Sequence, residues 1–324
     1  MMNSIPKANI KGGLNGLTLR YFVLGGLILV ASLAFGTANE NFFSLVNLGI
    51  LLRSIAVLFL VSMGMTYVML TGGIDLSVGS NVAFSGGVGV IALTATGSAT
   101  AGFLAAILAG MAIGAINGLF IGRLRLSAFM VTLATFALAR GLALVIYNAD
   151  SINVSNSAFL WLGGVSWGSM PVVIPFVALI FGVLSVVLYR TAFGRNVYAA
   201  GANFGTAFVL GRRPERTLVW IYVLSGALAG ISAIVTVGRV SSGQPWAGLY
   251  LEFDAITAVI LGGTSLFGGR GRLLGTILGV LLYGIIINGL VLTGTNPYMQ
   301  SLIKGLILLG VVLLDTWTQR EKSA

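Results

Sequence analysis

Cysteine and histidine are both missing from the 324 residues, proline occurs only six times, and charged side chains make up 8% of the chain. Without cysteine there are no disulfides and no thiolate nucleophiles, and the redox compartment leaves no trace. The loss of histidine removes its acid/base chemistry, and the two absences together remove nearly every transition-metal site. Six prolines are too few for a linker-rich or disordered chain. A soluble domain carries about 25% charged residues, so no water-facing surface can be assembled from this inventory. What is present is 57% hydrophobic, with a mean hydropathy of +1.02. These values point to several membrane-spanning helices, each needing about 20 apolar residues to cross the hydrocarbon. The 46 glycines suit helices whose backbones touch, as packing inside a bilayer favours.

Apolar runs predict about ten crossings near 20–38, 47–70, 77–96, 101–121, 127–147, 171–189, 217–237, 255–267, 273–293 and 298–315. The eighth is short enough to be broken or re-entrant. Basic residues precede the first run as they would a signal peptide, but "SLAFGTANE" ends it and further spans follow, so it is expected to be retained. The expectation is an all-α polytopic membrane protein, a single transmembrane domain over 1–324 with two related halves at about 45–150 and 217–315. "LTGGIDL" at 70–76 resembles "ILGGTSL" at 260–266, and "INGL" recurs at 116–119 and 287–290. Duplicated transporters pass substrate at such a junction.

The net charge of +10 would suggest nucleic acid in a soluble protein, but here it follows topology. Alternating spans put Lys7, Lys11, Arg20, Arg123, Arg125, Arg190, Arg195, Arg212, Arg213, Arg216, Arg270, Arg272, Arg320 and Lys322 on one side. That skew obeys the positive-inside rule and predicts both termini in the cytoplasm. Arg53, Arg140, Arg239 and Lys304 remain, within spans or near the outer face.

Asp75 lies between apolar stretches in "TGGIDLSVGS". A lone carboxylate in hydrocarbon costs on the order of 3 kcal/mol, so this segment should reach the interface or turn back into a protein-lined cavity. Gly72 and Gly73 permit a chain break there. Ser77 or Asp75 itself can cap the next helix; a gating or coupling role for Asp75 is the functional alternative. Gly102, Ala106, Gly110, Gly114, Gly118 and Gly122 recur every four residues and form a smooth ridge for a neighbouring helix; "GALAG" at 226–230 and "GTILG" at 275–279 are smaller versions. Gln244, Trp246, Tyr250, Glu252 and Asp254 are expected on the outward side, a mixture that binds sugar hydroxyls by hydrogen bonding and ring stacking, although the aromatics also suit a membrane belt. Arg140 is expected to pair with an acid or with carbonyls, or to line a pathway. Asn117 and Asn288, matched in the repeat, could line the path or join helices. The segment 190–216, "RTAFGRNVYAAGANFGTAFVLGRRPER", has the small and basic residues for a short surface helix and suits a docking partner. No phosphate-loop motif occurs, so ATP hydrolysis by this chain, enzymatic activity and a cofactor are not expected.

"VSMGMTYVMLTGGIDLSVGS", "GRNVYAAGANFGTA" and "LEFDAITAVILGGTSLFGGRGRLLGTILG" resemble signature segments of the permease subunits of ribose-type ABC sugar importers, a family that also serves xylose, allose, galactofuranose, inositol and autoinducer-2 uptake. The resemblance runs from about residue 40 to 315. It implies a homo- or heterodimer of permeases in the bacterial inner membrane, two cytoplasmic ATP-binding subunits, and a periplasmic or lipid-anchored sugar-binding protein. It also implies a coupling helix at 195–211, drawing on Arg195, Tyr198, Gly201, Asn203, Phe204, Gly205, Thr206 and Ala207. Family members commonly read Gly-Gly-Asn, Glu-Ala-Ala and Ser-Gly there. This chain has Gly201-Ala202-Asn203, Gly205-Thr206-Ala207 and Leu210-Gly211, which implies a dedicated ATPase or a second permease with the fuller motif. The alternative from another class is a self-sufficient secondary transporter or facilitator, with Asp75 as its ion or proton carboxylate.

Overall fold

The computed structural model describes residues 10–323, and the side chains of residues 19–317 among them. The chain runs through α1 (Ile10–Ala38), α2 (Leu45–Leu70), α3 (Val78–Thr96), α4 (Ala99–Gly118), a π-helical turn Leu119–Arg123 that prolongs α4, α5 (Ala128–Tyr147), α6 (Ser157–Gly164), α7 (Val173–Arg190), α8 (Ala192–Ala202), α9 (Phe204–Val209), α10 (Pro214–Val240), α11 (Leu251–Leu261), α12 (Leu273–Leu292) and α13 (Pro297–Ser323). Four two-residue strands form two small antiparallel pairs. β1 (Ile152–Asn153), β2 (Ser166–Trp167), β3 (Met170–Pro171) and β4 (Ser242–Gly243) set Ile152 opposite Gly243 and Ser166 opposite Pro171.

Among the described residues nine helices are long and apolar enough to cross a membrane: α1 to α5, α7, α10, α12 and α13. They fall where the apolar runs predict, and their ends follow local chemistry. Ser44 and Ser98 cap α2 and α4 by accepting the Asn47 and Ala101 N–H groups. Gly97 closes α3 in the left-handed region at φ 69°, so Gly97-Ser98 turns the chain directly from α3 into α4. Pro214 opens α10 with Glu215 in its first turn, where a missing N–H is harmless and a negative charge is favoured.

The core is a layer of α2, α3, α4 and α10. The glycine ridge of α4 is filled along its length. A Cβ added at Gly110 would run into the Gly226 carbonyl, one at Gly114 into the Tyr222 carbonyl, one at Gly118 into Val219 and one at Gly122 into the Glu215 carbonyl. The two helices therefore meet backbone to backbone, with "GALAG" facing the ridge. The second small pair acts alike, Gly275 and Gly279 packing on Gly262 and Ala258 at the end of α11.

One end of the bundle is basic. Arg125 pairs with Glu215 at 2.9 Å, Tyr198 donates to the Gly271 carbonyl and Tyr189 accepts the Leu273 N–H, and Arg20 lies against Gly263. This end gathers the α4–α5 turn, α8 and α9, the 262–272 segment, Arg20 of α1 and Asp315 of α13, which accepts the Leu266 N–H. At the opposite end Asn39 donates to the Leu292 carbonyl and Arg53 to the Gly164 carbonyl, and β1 pairs with β4. The side chains of Lys7, Lys11, Arg320 and Lys322, which also entered the reading of the termini, lie outside the described residues.

The eighth crossing is not a full helix. From β4 at one end to Gly269 at the other, the chain passes through α11, whose 11 residues rise about 16 Å of a hydrocarbon layer about 30 Å thick. The remainder is irregular backbone, which bilayers tolerate only inside protein or beside water. It stays inside: Gly248 lies against Gly79, and Gly268 against Gly72.

Candidate functional site

Asp75 is buried, with 1% of its surface exposed. After α2 the chain turns at Gly72 (φ 78°) and heads back into the protein, where the Tyr222 hydroxyl donates to the Ile74 carbonyl. Asp75 Oδ1 accepts the Ser77 N–H at 3.1 Å and the Ser77 hydroxyl at 2.6 Å, and Oδ2 accepts the Ser225 hydroxyl of α10 at 2.8 Å. Ser77, the residue before α3, makes no side-chain cap of its own. The acid instead fixes the residue from which the helix starts. The network extends outward, since Asn117 Nδ2 donates to Ser77 Oγ at 2.9 Å and Thr135 donates to Asn117 Oδ1 at 2.7 Å. Three hydrogen-bond donors on one carboxylate reduce the cost of its burial, and the chain of bonds ties α4, α5 and α10 to the 71–77 turn.

Arg140 of α5 reaches the other irregular segment. Its Nη1 donates to the Pro245 carbonyl at 2.7 Å and the Ala247 carbonyl at 3.1 Å, holding the loop before α11 down in the bundle. Glu252 sits close by, 1% exposed, against Gly79 of α3 and within electrostatic reach of Arg140. Its Oε2, and Nε and Nη2 of Arg140, have no hydrogen-bond partner among the described residues. The five outward residues expected to gather therefore separate. Gln244, Trp246 and Tyr250 are exposed, whereas Glu252 is buried, because the loop dips inward and the first turn of α11 starts within the bundle. Asp254 lies on yet another side. It accepts the Tyr283 hydroxyl and pairs with Lys304 of α13 at 2.8 Å.

Asp254 also borders a cavity of about 350 Å³ among α2, α10, α11 and α12, lined by Ser54, Arg239, Tyr283 and Asn288 among mainly aliphatic neighbours. Asn288 and Asn47 exchange amide hydrogen bonds at 2.9 and 3.0 Å, and Arg239 donates to Ser54 Oγ at 3.0 Å. Amide, hydroxyl, carboxylate and guanidinium groups in an otherwise apolar slot can engage a small polyhydroxy solute. Asn117 and Asn288 keep different company, one in the Asp75 network and one beside this cavity.

At the basic end the expected surface helix is two short helices. Asn203, extended at φ −163°, separates α8 from α9 and caps the latter by accepting the Thr206 N–H. Tyr198 and Gly201 face inward. A Cβ on Gly201 would overlap the Leu70 carbonyl, itself bonded to the Gly269 N–H at 2.8 Å, so α8 rests directly on both glycine-rich turns. Burial pushes the Tyr198 hydroxyl well above its ordinary pKa, which keeps it a donor. Arg195, Asn203, Gly205 and Thr206 face out, Ala207 is buried, and Arg125 lies 5.7 Å from the Phe204 ring. Beyond them Phe208, Val209 and Leu210 are bare, Val209 at 84% exposure. Sequence reasoning did not find Ser225, Tyr283 or Asn47. Lys304, a lone cation in an apolar run, was a visible signal for a buried acid partner, but it did not say which acid.

The chain matches the model of a family described as "Branched-chain amino acid transport system / permease component" over residues 47–312. Among curated relatives, the ribose import permease protein RbsC of Bacillus subtilis is 40% identical, covering 92% of this chain and 91% of its own. RbsC of Escherichia coli K12 is 37% identical, with 90% and 92% covered. The L-arabinose ABC transporter permease protein AraH of Azospirillum brasilense is 34% identical, with 99% and 94% covered. A solved chain from a metal-chelate type ABC transporter in an inward-facing conformation superposes with a TM-score of 0.54 at 19% identity, covering 92% of this chain and 99% of its own; that likeness concerns the fold.

Proposed function

The chain belongs to this family of transport-system permease components, and from that premise we propose that it is the membrane-spanning permease subunit of an ATP-driven sugar importer. The family description mentions branched-chain amino acids, but relatives aligned over nine-tenths of the chain carry pentoses, which favours a sugar. Separate cytoplasmic ATP-binding subunits supply the energy, a second permease copy or homologue completes the pathway, and a sugar-binding protein delivers the solute. The basic end faces the cytoplasm, and both termini with it.

The observation that carries the coupling role is the double contact of α8. One face of the α8–α9 hairpin presents Arg195, Asn203 and the bare Phe208–Leu210 tip to a partner, and its other face seats Gly201 on Leu70 and Gly269. A push on the hairpin is thereby delivered to both glycine-rich turns, the one leading to Asp75 and the one following α11. Two-state rearrangement about that joint would alternate the opening of the pathway. Asn117, Arg140, Gln244, Trp246, Tyr250, Glu252, Asp254 and Asn288 are the proposed pathway and pathway-shaping residues, with Asp75 as a structural anchor beside it.

The test is reconstitution with cognate ATP-binding subunits and binding protein, followed by ribose and arabinose uptake. ATP-dependent uptake is expected. Uptake by the chain alone, driven by an ion gradient without ATP, would overturn the assignment, and unchanged assembly and transport after replacing residues 203–207 would overturn the docking role.

A further inference from the structure

A cavity of about 710 Å³ opens at the basic end between α1, α7, α8, the 262–272 segment and α13. We infer that it is a binding site for the phosphate headgroup of an anionic phospholipid. Arg20, Arg270 and Arg272 line it, with Tyr21 and Tyr189 at its edge. Among the described residues none of the three arginines has an ion-pair partner, and only a long 3.5 Å bond ties Arg20, to the Ile260 carbonyl. The carboxylate of the wall, Asp315, is occupied instead by the Leu266 N–H at 3.1 Å. Three arginines therefore line one space with a single carboxylate among the described residues, a donor set suited to bidentate recognition of phosphate oxygens.

The position of the cavity selects lipid over a soluble anion. α1 and α13, which form two of its sides, are the least enclosed spans, with 6% of each window buried. Their flanks close to the cavity are apolar and bare: Phe22 and Val23 follow Arg20, while Leu313 and Trp317 bracket Asp315. Acyl chains can lie along these flanks while the arginines snorkel to headgroup level, where basic pockets between helices hold anionic heads. The site depends on the chain being in a membrane and not on what it transports.

The experiment is native mass spectrometry of the purified full-length chain carrying phosphatidylglycerol or phosphatidylcholine, with inorganic phosphate as competitor. Retention of phosphatidylglycerol over phosphatidylcholine is expected, falling about fivefold for each of Arg20→Gln, Arg270→Gln and Arg272→Gln. Arg216→Gln, an exposed arginine of the same end outside the cavity, should leave retention unchanged, and millimolar inorganic phosphate should not displace the lipid. If Arg20→Gln or Arg270→Gln fails to fold, Arg272→Gln alone decides. Equal retention of both lipids, equal loss in Arg216→Gln and Arg272→Gln, or displacement by inorganic phosphate would each overturn the assignment, the last in favour of a soluble anion.

Discussion

Gly201 and Gly205 lie four residues apart in "GANFG", and the structure gives them opposite sensitivities. A methyl on Gly201 would occupy the place of the Leu70 carbonyl, with the Gly269 N–H at 2.7 Å, so Gly201→Ala cannot be accommodated while those two remain bonded. Overpacking costs about 1–3 kcal/mol, and leaving the Leu70 carbonyl and Gly269 N–H unpaired costs about as much again. The seated position of α8 should lose at least about 2 kcal/mol, roughly thirtyfold in the equilibrium between seated and unseated hairpin. A methyl on Gly205 meets only Asn203 Oδ1 at 3.5 Å, an ordinary contact, so Gly205→Ala should behave as the parent. The assay is sugar uptake per ATP hydrolysed in proteoliposomes containing the whole complex, with the thermal midpoint of the permease measured alongside. Gly201→Ala should hydrolyse ATP with strongly reduced uptake, a failure of transmission more than of docking. If both variants match the parent in uptake and in melting, α8 does not transmit through that joint.

In the helix layer, Gly114→Val pushes into the Tyr222 carbonyl and should destabilise the chain by about 1–3 kcal/mol, while Gly141→Ala, with nothing within 4 Å, stays within about 0.5 kcal/mol; equal thermal midpoints in detergent would contradict the backbone contact. Lys304→Met strands the half-buried Asp254 carboxylate, and adding Asp254→Asn should restore part of the loss, a coupling of about 1–3 kcal/mol by double-mutant cycle. Zero coupling would show that the ion pair does not hold α13 to α11. Asp75→Asn keeps an acceptor for both Ser77 bonds and should preserve folding and uptake, whereas Asp75→Ala leaves the Ser77 N–H unpaired at a cost of about 1–3 kcal/mol. A well-folded Asp75→Asn without transport would mean that the charge itself is required.

The spans were legible because hydrocarbon imposes length and apolarity on every crossing, and the short eighth run foretold α11. The glycine ridge of α4 was legible as a surface, though its occupant was not, since a four-residue period marks a face without naming the helix laid on it. Asp75 could be read as an acid needing partners, yet Ser225 lies 150 residues away, and hydroxyls are too common in the chain to single one out. The burial of Glu252 was not legible, because the sequence near Gly248 gives no sign that the chain turns inward there. The α8–α9 hairpin was visible as a small and basic stretch; its division at Asn203 depends on one extended residue that composition does not reveal.

The brevity of α11 also bears on how the chain enters the bilayer. Eleven residues with Glu252 and Asp254 in the first turn are too short to span the hydrocarbon and carry two acids that resist desolvation, so α11 cannot partition unaided. The cation that neutralises Asp254 is fifty residues downstream on α13. During synthesis α11 should therefore wait at the translocon or the interface until α13 emerges, so that roughly the last quarter of the polypeptide integrates together.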